Sequence, residues 1–283
     1  MTIAGYQIDV VEAGRLRLDG GAMFGIVPRP LWERRLPPDD RNRITLAMRC
    51  LLLRGHGRVI LVDTGVGDKG DAKFEDIYAV DHGHSTLLGS LDALGVSAAD
   101  VTDVVLTHLH FDHAGGATAR GGDGRLAPTF PGARYYVQRA QWEWAHESQR
   151  EAASFLGENM DPLAEAGRLV LLDGAWGPWS GCVFHIVDGH TRGQQLLRVF
   201  ENGRSLLFAA DLIPTSAHVP LLWGMAYDVE PLKTLDEKKR VLERAADEGW
   251  TVVFEHDPEV VSARVVRTAK GFDLADPSPT LPS

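Results

Sequence analysis

The stretch from His108 to His113 restricts what this chain can fold into more than any other. It reads His-Leu-His-Phe-Asp-His and follows the apolar run Val104-Val105-Leu106, which is typical of a short buried strand. Because His108 and His110 are two residues apart, extended chain projects their imidazoles to the same side. Imidazole and carboxylate are ligands that zinc and other first-row divalent ions accept. The stretch therefore predicts a metal site at the end of a strand.

The amino-acid composition is that of an ordinary globular protein. The 283 residues are 44% hydrophobic and 24% charged, which is typical of a globular protein with a sizeable core. We expect one domain over residues 1–283. The net charge of −10 argues against nucleic-acid or membrane partners bound through bulk charge. With no leader-like N-terminus and no long apolar run, the expectation is a cytoplasmic protein that does not enter a membrane.

Alternating β-rich and helical patterns run through both halves of the chain. Glycine-containing turns at 54–57 and 201–204 predict hairpins. Strands are predicted at 44–53, 59–62, 134–138, 169–172, 183–187, 196–200, 205–209 and 251–254. Helices are predicted from Ser85 as N-cap, over 140–146 and over 233–248. The Gly-, Arg- and Pro-rich residues 120–131 predict a surface loop, and the Pro- and Ser-rich tail, about 276–283, is expected to be frayed.

An apolar segment near the N-terminus, about residues 20–40, is broken by glycine and proline and predicts neither a strand nor a helix. Two interpretations remain open, because this loop either packs under the edge of the core or lines an apolar pocket. A second apolar segment runs from Pro220 to Met225. The candidate substrate-binding residues from the two segments are Met23, Phe24, Ile26, Leu31, Trp32, Trp223 and Met225.

Several motifs together resemble one family. The stretch at 108–113 is similar to the HxHxDH signature of the metallo-β-lactamase-fold hydrolases. Residues 63–65 resemble the family's DTG element, and residues 189–193 resemble its GHTxG element. Asp211 matches the aspartate of a GD pair, although Ala210 precedes it, and His256 matches the last histidine. The resemblance implies a four-layer αββα metallo-β-lactamase sandwich, an α/β fold with helices outside two sheets.

The resemblance also implies a set of metal ligands. One ion would be held by His108, His110 and His190, and the other by Asp112, His113 and His256. Asp211 would bridge the two ions, and Asp63 would orient a ligand histidine. Zinc is the leading metal, with Mn, Fe, Co or Ni as alternatives. Two such ions, about 3.5–4 Å apart, lower the pKa of a shared water, and the bridging hydroxide attacks a carbonyl or phosphoryl centre.

The apolar segments make the chain similar to the lactonase and organophosphate-hydrolase branch of the family. The leading hypothesis is a quorum-quenching lactonase that opens N-acyl homoserine lactones, with the apolar wall holding the acyl chain. Such lactonases carry a tyrosine three residues after the bridging aspartate, where this chain has Pro214. With Asp112 and Asp211 at the metals, His218 or Tyr227 is therefore the candidate proton donor to the leaving group.

Other functions remain open. The same dinuclear site supports a phosphotriesterase or arylesterase, and a glyoxalase II-like thioesterase would need a cationic groove. A mononuclear iron dioxygenase and a non-catalytic scaffold that senses a ligand are further alternatives. The expected partner is a small molecule with an apolar portion, and a homodimer is plausible for this branch.

Overall fold

The first half of the chain builds a sheet of seven strands. The computed structural model describes residues 1–282. The strands of this half are β1 (Thr2–Ile3), β2 (Tyr6–Asp19), β3 (Arg43–Gly55), β4 (Arg58–Val62), β5 (Asp103–Val105), β6 (Thr118–Arg120), β7 (Leu126–Pro128), β8 (Arg134–Gln138) and β9 (Leu169–Leu172). Within the described residues the sheet has the order β1-β2-β3-β4-β5-β8-β9. Strands β6 and β7 pair only with each other, as a small hairpin.

The second half builds a sheet of six strands in simple sequence order, counted over the same described residues. Its strands are β10 (Cys182–Val187), β11 (Gln194–Glu201), β12 (Arg204–Phe208), β13 (Thr251–Val253), β14 (Ser262–Thr268) and β15 (Gly271–Ser278). The helices are α1 (Gly20–Phe24), α2 (Arg29–Trp32), α3 (Ala72–Tyr78), α4 (Leu87–Ala93), α5 (Phe111–Ala114), α6 (Arg139–Glu147), α7 (Gly157–Glu165) and α8 (Pro231–Glu248). None of these helices is long and apolar enough to cross a membrane.

Successive side chains of β3 point to opposite faces of the first sheet and belong to two different apolar cores. Leu46, Cys50 and Leu52 belong to a core that the first sheet shares with α1, α2, α4 and α7. Leu51 and Leu53 face the other way, into a core shared with the second sheet and with α8. Because β3 is buried on both faces, it lies inside a layered structure rather than on a solvated sheet. The predicted α/β sandwich of helices outside two sheets is confirmed.

The structure corrects several local predictions. The N-terminal segment is not a loop throughout, since Asp19 caps α1 by accepting a hydrogen bond from Ala22. The tail is not frayed over the described residues, because β15 pairs with β14 and the Ser262 hydroxyl donates to the Thr280 carbonyl. Thr86, not Ser85, caps α4. The segment 120–131 contains most of the β6–β7 hairpin.

Parallel pairing brings the motif residues to one edge of the sandwich. Strand β4 is parallel to β5, and β12 is parallel to β13. Carboxyl ends of neighbouring parallel strands lie at the same edge of a sheet, so the segments that follow them meet there. The residues that follow β4, β5, β10, β12 and β13 include Asp63, His108, His190, Asp211 and His256, respectively.

Candidate metal centre

Four predicted ligands form one compact group at this edge. Ligand atoms of His108, His110, His190 and Asp211 all lie within 4.8 Å of one another, and all four side chains are buried. His110 Nδ1 is 3.1 Å from His108 Nε2 and 3.3 Å from His190 Nε2. Asp211 Oδ2 is 3.2 Å from His190 Nε2. The four side chains therefore converge on one point.

A second group lies directly beside the first. Ligand atoms of Asp112, His113 and His256 also lie within 4.8 Å of one another. Asp211 reaches this group as well, with Oδ1 3.1 Å from His256 Nε2 and Oδ2 3.6 Å from His113 Nε2. The structure thus brings all seven predicted ligands together, with Asp211 between the two groups.

The outward nitrogen of each converging imidazole has a partner in the protein. Asp63 Oδ2 is 3.2 Å from His113 Nδ1, as predicted, and this aspartate also accepts hydrogen bonds from Thr107. Corresponding contacts join His108 Nδ1 to Thr107, His110 Nε2 to Glu151, His190 Nδ1 to Asp228 and His256 Nδ1 to the Ala47 carbonyl. Such contacts fix ring orientation, so the other nitrogen of each ring faces the centre.

Burial and close charged neighbours shift the pKa values of the groups at the centre. Burial raises the pKa of Asp211, but His256, His113 and His190 lower it well below its usual range. Burial lowers the pKa of His256, but Asp211 raises it to about 9. Within the described residues, Asp211 Oδ1 is buried and accepts no hydrogen bond. The inward imidazole and carboxylate groups are the donor types that divalent metal ions accept, and such ions would compensate the buried charge of Asp211.

A cavity of about 250 Å³ opens over the centre. Five of the ligand residues line it, namely His110, Asp112, His190, Asp211 and His256. Its remaining walls mix apolar and polar residues, which are Leu18, Met23, Tyr78, Phe111, Arg150, Glu151, Ser154, Ala226 and Tyr227. The pocket is therefore less apolar than predicted.

Of the predicted substrate-binding residues, only Met23 lines this cavity. Ile26 is 95% exposed and Leu31 is 50% exposed, because the turn after α1 and the outer face of α2 point to solvent. The other four predicted residues, Phe24, Trp32, Trp223 and Met225, pack against the core beneath the wall. The structure thus corrects the pocket assignment, and both interpretations of the N-terminal segment hold for different residues.

The structure distinguishes between the two candidate proton donors, His218 and Tyr227. His218 is buried, with Nδ1 2.7 Å from Thr215 Oγ1 and Nε2 2.8 Å from the Met23 carbonyl. Its ring stacks on Phe24, and burial lowers its pKa to about 4. His218 does not line the cavity, so its predicted role as a donor is wrong. Tyr227 does line the cavity, close enough to Asp112 for that charge to add to burial in raising its pKa.

Sequence reasoning missed Glu151 and Asp228, which hold His110 and His190. Asp228 also accepts a hydrogen bond from the Met225 amide. Glu151 accepts from the Trp144 indole and from Ser148 in addition to its contact with His110. Neither carboxylate lies near its histidine in the sequence of this chain. They follow that histidine by 41 and 38 residues, respectively.

Glu151→Gln is expected to weaken metal binding by about 10- to 100-fold. The amide keeps the shape of the side chain but removes the charge that strengthens His110 as a donor. Competition with a chromogenic chelator measures the change, and Glu147→Gln, at an exposed position in α6, is the control. Equal metal affinity in all three proteins would contradict the role of Glu151.

The fold and the centre define a metal-dependent hydrolase. The family model of the metallo-beta-lactamase superfamily matches residues 49–256, which contain all seven candidate ligands. The chain belongs to this superfamily.

Known proteins similar to the chain are also hydrolases. An N-acyl homoserine lactonase of a Bacillus species is 26% identical over 263 residues, covering 88% of this chain and 92% of that protein. A probable metal-dependent hydrolase from Staphylococcus aureus superposes with a TM-score of 0.87 at 26% identity, covering 98% and 99% of the two chains. A dizinc quorum-quenching lactonase in complex with a product, N-hexanoyl-L-homoserine, superposes with a TM-score of 0.81 at 21% identity over 98% and 96%. The chain is an enzyme of the hydrolase class.

Proposed function

We propose that this protein is a dinuclear metal-dependent hydrolase that opens lactone rings, with N-acyl homoserine lactones as the first candidates. The observation that carries the proposal is the position of Asp211, within 3.2 Å of imidazole nitrogens from both ligand groups. A carboxylate with one oxygen toward each group is suited to joining two ions. The lactonase of the Bacillus species, similar along most of the chain, supports the substrate class.

The seven converging side chains would hold the two ions, with zinc as the leading metal. Two divalent ions held there would supply Lewis acidity, which lowers the pKa of bound water and polarises a carbonyl oxygen. The protein itself orients the imidazoles through Asp63, Glu151 and Asp228. The apolar part of the cavity wall, which includes Leu18, Met23 and Phe111, excludes water and receives the apolar portion of the substrate.

Tyr227 is proposed to donate a hydrogen bond to the oxygen that leaves when the ester bond breaks. It lines the cavity, and within residues 1–282 its hydroxyl makes no hydrogen bond to the protein, so its proton is available. It would thereby supply the donor that Pro214 cannot.

Tyr227→Phe is expected to lower kcat by about 100-fold, because a donor that acts on developing charge is lost. Metal content should be unchanged, since Tyr227 is outside both ligand groups. Steady-state kinetics and elemental analysis on the same sample measure both quantities. Tyr78→Phe tests the other cavity tyrosine, and a loss of rate there with none in Tyr227→Phe would exchange the two assignments.

The proposal is tested by metal content together with rates on matched substrates. We expect two metals per chain and faster opening of N-hexanoyl homoserine lactone than hydrolysis of a phosphotriester, an aryl ester or a glutathione thioester. Two metals with a preference for another ester would keep the dinuclear centre and reject the lactone. One iron per chain with no hydrolysis would indicate an oxygenase, and bound metal with no turnover of any kind would indicate a scaffold.

A further inference from the structure

The cavity has a polar wall that the proposed reaction does not use. Arg150 and Ser154 come from the segment between α6 and α7, and both line the cavity. The residues that directly follow them, Glu151 and Phe155, both contact His110. The segment that orients a metal ligand therefore also presents a cation to the substrate space.

The positive charge of Arg150 is not neutralised by the protein. Across residues 1–282, no carboxylate oxygen lies within 4.0 Å of its guanidinium, which makes a single hydrogen bond, from Nη2 to the Ala226 carbonyl at 3.0 Å. The neighbouring Glu151 is not free to pair with it, because its oxygens already accept from His110, Trp144 and Ser148. Most of the five N–H donors of Arg150 thus remain without a partner.

The hydrogen bond to Ala226 restricts the guanidinium before any ligand arrives. It links the segment that carries Arg150 to the segment that carries Tyr227, so both donors belong to connected walls of one cavity. A side chain that is already held loses less conformational freedom when it binds a ligand. Arg150 is an exposed residue, so its remaining N–H donors are accessible to an acceptor that enters the cavity.

An alkyl chain against Arg150 would displace water from the guanidinium and supply no acceptor, which is unfavourable for a charged donor. A carboxylate matches the planar fork with two parallel hydrogen bonds. The chain as a whole carries a net charge of −10, so an anionic substrate would gain little from long-range attraction and depends on this local cation.

We propose that Arg150 binds a carboxylate on the acyl portion of the substrate, away from the bond that is hydrolysed, with the Ser154 hydroxyl as a second donor. The inference rests on the proposed hydrolysis of a lactone or ester at the metal centre. It makes the substrate class a lactone or ester whose acyl group carries an acidic terminus, rather than a purely alkyl chain.

The test compares matched substrates on the full-length, metal-loaded enzyme. One pair is N-adipoyl and N-hexanoyl homoserine lactone, and the other is mono-4-nitrophenyl adipate and 4-nitrophenyl hexanoate. The variants are Arg150→Met, Arg150→Lys and the control Arg125→Met, whose side chain is 89% exposed in the β6–β7 turn. The quantity compared is the ratio of kcat/KM for the acidic substrate to kcat/KM for the neutral one.

We expect Arg150→Met to lower this ratio by about 10- to 100-fold, mainly through KM for the acidic substrate, because a charged hydrogen-bonding pair is lost. Arg150→Lys should recover part of the ratio, and Arg125→Met should not change it. If both rates fall together and the ratio stays within about twofold of the wild-type value, Arg150 only links the two cavity walls and the proposal is overturned.

The two pairs separate this proposal from the lactonase assignment. If only the esters are hydrolysed, the lactone assignment fails and the ester ratio still measures the role of Arg150. If nothing is hydrolysed, calorimetric titration with N-adipoyl homoserine lactone gives the answer. Tighter binding to the wild type than to Arg150→Met supports the proposal, and equal binding overturns it.

Discussion

Asp211→Asn is expected to lower kcat/KM by about 1,000-fold or more on any lactone or ester that the enzyme hydrolyses. The Asp211 carboxylate lies 3.2 Å from an imidazole nitrogen of the first ligand group and 3.1 Å from one of the second, whereas asparagine has no charge and a single acceptor oxygen. Loss of a carboxylate that contacts both cations would remove several kcal/mol of charge stabilisation in the transition state. A loss of about 4 kcal/mol corresponds to a rate lower by about 1,000-fold.

Metal content should fall together with the rate. Elemental analysis after gel filtration is expected to find fewer than two metals per chain in Asp211→Asn. The control is Asp173→Asn, whose carboxylate is 70% exposed and pairs with Arg139 at the surface. Full metal content and an unchanged rate in Asp211→Asn would exclude a centre that depends on this carboxylate.

Trp32→Ala is expected to destabilise the protein by about 3–5 kcal/mol, which is the usual cost of removing a large buried ring. The indole is 2% exposed. It packs onto Gly20 so closely that a Cβ there would lie 2.4 Å from the ring, and it stacks on Phe24 with ring centroids 5.4 Å apart. Alanine leaves most of the volume of the indole unfilled, which adds a cavity term to the lost burial.

The matched control is Leu31→Ala, in the same short helix but 50% exposed, which we expect to change stability by less than about 0.5 kcal/mol. Urea unfolding of the metal-loaded proteins measures both. Trp32→Ala should also raise KM, because Phe24 stacks on His218 and His218 is held to the carbonyl of Met23, a cavity residue. Equal stability of the two variants would show that the N-terminal segment is not anchored to the core.

The backbone at Ala210 is strained, which the sequence motif alone does not reveal. The GD pair that this part of the sequence resembles has glycine at the position of Ala210. The structure holds Ala210 at φ 42°, in the left-handed region that glycine adopts without penalty. The chain therefore accepts strain of about 1–2 kcal/mol directly beside Asp211.

The fold class and the candidate ligands could be predicted from the sequence because their signals are local. His108, His110, Asp112 and His113 lie within six residues, and a strand followed at once by a ligand places that ligand at a sheet edge. Strands β14 and β15 were not predicted, since charged residues interrupt their apolar pattern. The tail was predicted to fray because pairing with β14 leaves no mark in its composition.

By itself, the sequence determined a hydrolase of the metallo-β-lactamase fold with seven converging candidate ligands. Only the tertiary structure decided which residues reach the substrate space. His218 is bound to Met23, 195 residues away along the chain, and Arg150 is bound to Ala226, 76 residues away. The local backbone sets the relative positions of residues in a short motif. A pocket wall forms only where segments that are distant in sequence pack together.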